Sequence, residues 1–311
     1  MKLRTPADRF ENLEDYPFKE NYLELENLRM HYVSEGLKAS KEVVVCLHGE
    51  PSWSYLYRHM IPPLAERFRV LAPDLIGFGK SDKLPSTSDY SFHFHYNTIV
   101  AFFKRLKLKN VTLVMQDWGG VLGLVYAANH PEIIKRMVIM NTGLPGHGLN
   151  QGSRLKTGLA LTAFLGWRTF SKLFDKRMPV SKVIAAGTYP PFRLSKEVER
   201  AYNAPFPSAE YKAVAASFPS LVPLTSKSPG AADVSRARDL LSRFRGATLV
   251  MFSDRDPITS TQADFLYDLI PGTAGFDKVT IKDAGHFLQE DKPGELVDNI
   301  IRFIQNSSPG N

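Results

Sequence analysis

The sequence predicts an α/β fold: a mostly parallel central sheet flanked by helices, interrupted by a helical insertion. Three observations carry this expectation. Through residues 21–140, short β-branched runs alternate with helix-like stretches, the pattern of strands joined by crossover helices. The strand-like runs are apolar at every position rather than at alternate ones, as in strands covered on both faces. The alternation lapses over residues 150–228 and resumes near Ala247.

In chain order, the first run is Val43-Val44-Val45-Cys46-Leu47, ending at His48-Gly49. Arg69-Val70-Leu71-Ala72 follows and stops at Pro73-Asp74. Val111 to Met115 ends at Gln116-Asp117, and Met137 to Met140 at Asn141. Helix-like stretches lie between them at Leu56 to Arg67, Asn97 to Leu106 and Val121 to His130. Residues 150–228 carry short helix-like pieces broken by prolines, among them Pro179, Pro190, Pro205 and Pro219. Ala247 to Phe252 and Lys278 to Ile281 restore the sheet pattern, and a helix from Pro293 to Ile304 closes it. The expected organisation is a core domain of residues 1–148 and 229–311 with a helical cap domain at 149–228.

Composition bounds the rest. A chain of 311 residues, 43% hydrophobic and 23% charged, is globular rather than disordered. At that size about 75% of the unfolded surface can be buried, so neither disulfide nor metal is needed to hold a core. The single cysteine, Cys46, excludes an internal disulfide and suits a reducing compartment, so a cytoplasmic location is expected. The first ten residues hold charge and proline without an apolar stretch, and no signal peptide is expected. No window approaches the length of a membrane helix. The net charge of +7 is local: residues 151–228 hold 12 Lys/Arg against 4 Asp/Glu, which leaves −1 for the remainder. That segment has no aromatic-basic RNA motif and no zinc-finger spacing, so it reads as a solvated basic face rather than a nucleic-acid surface.

Nucleotide motifs fail on inspection. Gly77-Phe78-Gly79-Lys80-Ser81 has Asp74 where a phosphate loop needs glycine, and Asp82 where a dinucleotide fingerprint needs one. His93 and His95 have no third partner at metal-ligand spacing and read as helix-entry residues.

Three polar residues follow three expected strands: Asp117, Asp256 and His286. In open α/β sheets ligands bind beyond the carboxyl ends of the strands, so the three are candidates for one site. The order nucleophile, acid, histidine is that of the α/β-hydrolase fold, and Gln116-Asp117-Trp118-Gly119-Gly120 has the form of its nucleophile elbow. Met115 stands two residues before, where the common elbow has glycine. A carboxylate with a reference pKa near 3.9 is ionised at neutral pH and can attack a saturated carbon without a base. The resulting ester needs a base for hydrolysis, which is the role expected of His286, oriented by an acid. Asp254 and Asp256 both follow the strand; Asp256, before Pro257, is favoured. The backbone N–H groups of Trp118 and Glu50 are the expected oxyanion donors.

Here the chain resembles a known family, the haloalkane dehalogenases of the α/β-hydrolase superfamily, and within it the subfamily with an Asp-Asp-His triad and two halide-binding tryptophans. The resemblance rests on His48-Gly49-Glu50-Pro51-Ser52-Trp53-Ser54-Tyr55-Leu56-Tyr57-Arg58, on the elbow around Asp117, and on Ala204-Pro205-Phe206-Pro207 and Phe218-Pro219 in the cap. It implies Asp117 as nucleophile, Asp256 as acid and His286 as base. It implies Trp118 and Trp167 as halide-binding indoles, whose N–H groups donate but cannot accept. It implies Phe164 and Phe218 as pocket walls and Trp53 as structural. A small halogenated aliphatic substrate, a halide product and no metal or organic cofactor follow, with no nucleic-acid or membrane partner and a monomer as the default. Two other readings remain: an epoxide hydrolase, whose leaving alkoxide would need a proton from a cap tyrosine (Tyr189, Tyr202 or Tyr211), and a non-catalytic receptor for hydrophobic ligands.

Overall fold

The computed structural model describes residues 2–38, 40, 42–145, 158, 162, 165–169 and 175–307. Its centre is one eight-stranded sheet in the order β1-β2-β4-β3-β5-β6-β7-β8. The strands are β1 (Asn21–Leu25), β2 (Leu28–Gly36), β3 (Val43–Leu47), β4 (Arg69–Pro73), β5 (Val111–Gln116), β6 (Ile134–Met140), β7 (Ala247–Ser253) and β8 (Val279–Ile281). β2 pairs antiparallel with both β1 and β4, and all remaining pairs are parallel. Every residue of β3 and β5 is buried, which explains their unbroken apolar runs. Each Val, Leu or Met so buried contributes about 1.5–3 kcal/mol.

The six strand-like runs all lie in this sheet. The β1–β2 hairpin was not among them. Its residues are mostly half-exposed, and Glu24, His31 and Glu35 interrupt any apolar run. After β4 the chain crosses back to pair β5 on the other side of β3. That reversal opens a crevice beyond the carboxyl ends of β3 and β5.

Helix boundaries differ from expectation for local reasons. The stretch Leu56 to Arg67 forms a 3-10 turn at Ser54–Tyr57 and a helix α1 of five residues, Ile61–Ala65. Pro62 and Pro63 have no N–H to donate and fit only a first turn. Helix α2 (Phe92–Arg105) starts five residues before Asn97, because the Ser91 hydroxyl caps it by accepting from the Phe94 N–H at 3.1 Å. Helix α3 (Asp117–Asn129) is buried at all but two positions, enclosed by the sheet and the helix Ala231–Leu241. The closing helix Pro293–Asn306 buries Leu296, Val297, Ile300, Phe303 and Ile304, a single stripe at helical spacing.

Between β6 and β7 the described residues contain helices and no strand: Val180–Ala186, Lys196–Asn203 and Ala213–Leu221 precede Ala231–Leu241. Several of the basic side chains expected to be solvated here are tethered. Lys176 donates to Pro85 O, Lys212 to Met178 O, and Lys182 to Glu199. Among the described residues, no helix is long and apolar enough to cross a membrane.

Candidate active site

The turn between β5 and α3 sets the position of Asp117. Its backbone is in the left-handed region, φ +50°, which costs about 1–3 kcal/mol for a non-glycine residue. Two bonds hold it there: its N–H donates to Asn141 O at 3.0 Å, and its carbonyl accepts the Thr142 hydroxyl at 2.6 Å. The glycines that follow let α3 lie flush on the sheet. A Cβ at Gly119 would fall 2.3 Å from Leu47 O, and one at Gly120 2.2 Å from Thr142 Oγ1. Met115 is accommodated by a third glycine further along α3, since a Cβ at Gly123 would lie 2.9 Å from its Sδ. The missing small residue has moved from the strand to the helix.

Asp117, Asp256 and His286 come together at the strand ends. His286 Nε2 lies 3.5 Å from Asp117 Oδ2, and its Nδ1 lies 3.1 Å from Asp256 Oδ2. Asp256 is further held by the N–H of Ile258 at 2.9 Å and by the Thr259 hydroxyl. Asp254 does not reach the imidazole; its carboxylate faces Arg255 at 3.8 Å. The Glu50 N–H donates to Asp117 Oδ1 at 2.7 Å, so the loop after β3 addresses the carboxylate that the elbow presents. His48 fixes that loop: its Nε2 accepts the Leu75 N–H at 3.0 Å, which leaves the Nδ1 proton for Gly49 O, also at 3.0 Å.

The electrostatics follow from three carboxyl groups around one ring. Burial opposes charge on His286, but the attraction of Asp256 and hydrogen bonds to Asp117 and Asp256 outweigh it and raise its pKa to about 10. Burial would raise the pKa of Asp256; the His286 charge and the donors around its carboxylate hold it below the usual range instead. Glu50 is driven the other way. Its side chain is buried, faces the charge of Asp117 and has Oε1 without a hydrogen-bond partner, so its pKa is pushed well above the usual carboxylate range.

A cavity of about 610 Å³ opens from this cluster. Glu50, Asp117, Trp118 and His286 line one part of it, and Trp167 lines it from the insertion. Phe218 does not line it. That residue was expected as a wall but is completely buried, with its ring edge-on to Trp118 at 4.9 Å and to Phe78 at 5.2 Å. It supports the Trp118 indole from behind because Ala213–Leu221 turns this face inward. Phe164 lies outside the described residues. Trp53 is buried and stacked on Tyr55 at 5.5 Å, away from the cavity. Among the described residues no tyrosine lines the cavity. The Tyr202 hydroxyl is engaged by Glu290, and that of Tyr211 by Arg4 O at 3.3 Å. His93 pairs with Asp233 on the surface while His95 is buried against Phe218, so the two rings do not share a ligand site.

Residues 42–293 match the alpha/beta hydrolase fold family. Over 97% of this chain and 98% of its own length, a haloalkane dehalogenase of Mycolicibacterium paratuberculosis is 42% identical. The chain belongs to the haloalkane dehalogenases. A haloalkane dehalogenase of Psychrobacter cryohalolentis is 41% identical over 98% of both chains. Among solved structures, the haloalkane dehalogenase DpaA from Paraglaciecola agarilytica NO2, described as tetrameric, superposes with a TM-score of 0.86 at 34% identity, covering 96% of this chain and 97% of the other.

Several residues that build the site in this dehalogenase were not singled out by sequence. Asn141, which follows β6, has its Nδ2 within 3.0 Å of Ser253 Oγ, Gly285 O and His286 O, and its Oδ1 accepts the Ser253 N–H at 3.0 Å. It ties the end of β7 to the loop that carries the histidine. Asp291 holds the same loop, accepting the Gly285 N–H at 2.8 Å and the Tyr189 N–H at 3.0 Å. Gln116 Nε2 lies 3.1 Å from His286 Nε2. A polar residue closing a buried strand, as Gln116 does, or directly following one, as Asn141 does, was the available signal; Asp291 gave none.

Proposed function

We propose that the enzyme hydrolyses haloalkanes to alcohol, halide and a proton through an ester on Asp117. The observation that carries this reading is a single cavity lined by the Asp117 carboxylate, the His286 ring and two indoles, Trp118 and Trp167. In this reading Asp117 attacks the carbon bearing the halogen in line, and the carbon–halogen bond breaks with its electron pair on the halide. The two indole N–H groups receive that halide in an apolar surrounding where a donor counts most.

The raised pKa of His286 has a place in the sequence of steps. In the resting enzyme the ring is charged and paired with two carboxylates. Esterification removes the charge of Asp117, and with it part of what holds the proton on His286. The ring then releases its proton to solvent, which is the proton the overall reaction yields, and acts as base: it takes a proton from water, whose oxygen attacks the ester carbonyl. Asp256 keeps the ring oriented throughout. The backbone N–H of Glu50, already directed at the carboxylate, and that of Trp118 stabilise the oxyanion. Collapse breaks the bond to the alkoxide oxygen, which takes the second proton of that water and leaves as alcohol, restoring the carboxylate beside the charged ring. Residues 149–228 act as the cap over a core of 1–148 and 229–311.

The epoxide reading is disfavoured because no tyrosine among the described residues lines the cavity, and an opening epoxide needs a proton donor that halide does not. Halide release from 1-bromobutane and 1,2-dibromoethane, run beside an epoxide panel, tests the proposal. Halide without epoxide turnover supports it, and turnover of epoxides alone refutes it.

A further inference from the structure

Gln116, the last residue of β5, stands beside the proposed base without entering the cavity. Its side chain is fully buried, and it is not among the residues that line the cavity. The amide Nε2 lies 3.1 Å from His286 Nε2 and 3.2 Å from His286 O. The second contact fixes which end of the amide faces the ring. A carbonyl oxygen only accepts, so the amide turns its NH₂ toward His286 O; reversing it would set Oε1 against that oxygen. Among the described residues Oε1 then has no hydrogen-bond partner although it is buried, an arrangement that costs stability and calls for a reason.

This orientation does not suit the resting enzyme. There the His286 ring is charged, and a charged imidazole carries a proton on both nitrogens. An amide N–H then faces a ring N–H, and the Asp117 carboxylate, 3.5 Å from Nε2, is what attracts the ring proton. The neutral ring is the form that Gln116 fits. With Nδ1–H donating to Asp256 at 3.1 Å, Nε2 presents a lone pair, and the Gln116 N–H is directed at it.

We propose that Gln116 is a positioning residue for ester hydrolysis, donating to Nε2 of His286 once esterification has removed the charge of Asp117. This rests on the dehalogenase reading above and deepens it. The proton leaves Nε2 for solvent, and the Gln116 N–H takes its place. Water entering from the cavity displaces that contact and gives its own proton to the same lone pair as its oxygen attacks the ester. A hydrogen bond to the neutral form favours that form, so Gln116 makes the base available at lower pH. The other charged or titratable groups around the ring are Asp117, Glu50 after β3, Asp256 and Arg255 after β7, Lys182 of the helix Val180–Ala186, and Asp291, which accepts the Gly285 N–H. A substitution at Gln116 leaves all of them in place.

The experiment follows a single turnover of 1-bromobutane, with enzyme in excess, across pH for the wild type and for Gln116→Met, which keeps the length of the side chain and removes the donor. Bromide reports formation of the ester, and butanol reports its hydrolysis. Bromide formation in the variant should match the wild type within about 2-fold, because a carboxylate attacks without a base. The acid limb of butanol formation should move up by about 0.5–1 pH unit, so that hydrolysis on that limb is about 3- to 10-fold slower, while the plateau at higher pH is kept. An unshifted limb, or a lowered plateau, overturns the inference alone; a purely structural role would lower the plateau. Should Gln116→Met fail to fold, the side-chain amide protons of Gln116 decide the matter in Asp117→Asn, whose neutral side chain stands for the ester. They should shift downfield in NMR spectra as His286 loses its proton, and resonances that stay fixed through that titration overturn the inference. No bromide from the wild type at any pH overturns the dehalogenase reading together with it.

Discussion

The Nε2 atom of His286 lies 3.5 Å from Oδ2 of Asp117, so the proposed base and the proposed nucleophile form an ion pair before any substrate arrives. Asp117→Asn should therefore lower the pKa of His286, read from its ring resonances by NMR titration. The stability of the protein follows the same pair. A pKa raised on folding contributes stability that is fully present below the ordinary histidine value near 6.5 and is lost as pH rises through about 10. Denaturation at a series of pH values should show that alkaline loss in the wild type and a shallower one in Asp117→Asn. An unchanged His286 titration in the variant would contradict the assignment.

The two aspartates after β7 make opposite predictions. Asp256 is 3.1 Å from His286 Nδ1, whereas Asp254 faces Arg255. Asp256→Asn should reduce kcat by at least about 100-fold, the contribution of a correctly held base. Asp254→Asn should stay within about 2-fold, as expected for an exposed pair worth under about 1 kcal/mol. Steady-state halide release checks both.

Trp167→Phe removes one indole N–H and keeps an aromatic ring on the cavity wall. A hydrogen bond to a charged group is worth about 1.5–3 kcal/mol, so bromide should inhibit the variant about 10- to 150-fold more weakly. Product inhibition by added bromide measures this directly. Equal inhibition of wild type and variant would remove Trp167 from the halide site.

Phe218 carries a stability prediction. The ring is buried and braces Trp118, so Phe218→Ala should destabilise the protein by about 3–5 kcal/mol, measured by urea denaturation. Bromide binding should weaken as well, because the indole loses its support. A variant of wild-type stability with altered chain-length preference would instead make Phe218 a wall.

The sequence spoke most clearly where burial leaves a single pattern. β3 and β5 are covered on both faces, so their apolar runs stood out, whereas the β1–β2 hairpin is half-exposed and mixed in composition. Asp117, Asp256 and His286 could be recognised because each follows a strand end, and the fold brings such ends together. What stayed hidden depends on contacts between distant segments. Asn141 matters through the carbonyls of Gly285 and His286, about 145 residues away, which no local spacing encodes. Phe218 was expected as a wall from the family resemblance alone; its packing edge-on to Trp118, outside the cavity lining, is a tertiary contact that no local spacing encodes. Met115 departed from the elbow pattern because its compensating glycine, Gly123, lies on the facing helix.

The covalent step is the centre of the account, and His286→Phe exposes it. Without the base, the ester should form and persist. Intact-protein mass spectrometry after incubation with 1-bromobutane should show one added butyl group per chain, and peptide analysis should locate it on Asp117, with about one equivalent of bromide released and no further turnover. A variant that stays unmodified while the wild type releases bromide, or an adduct on any other residue, would contradict it.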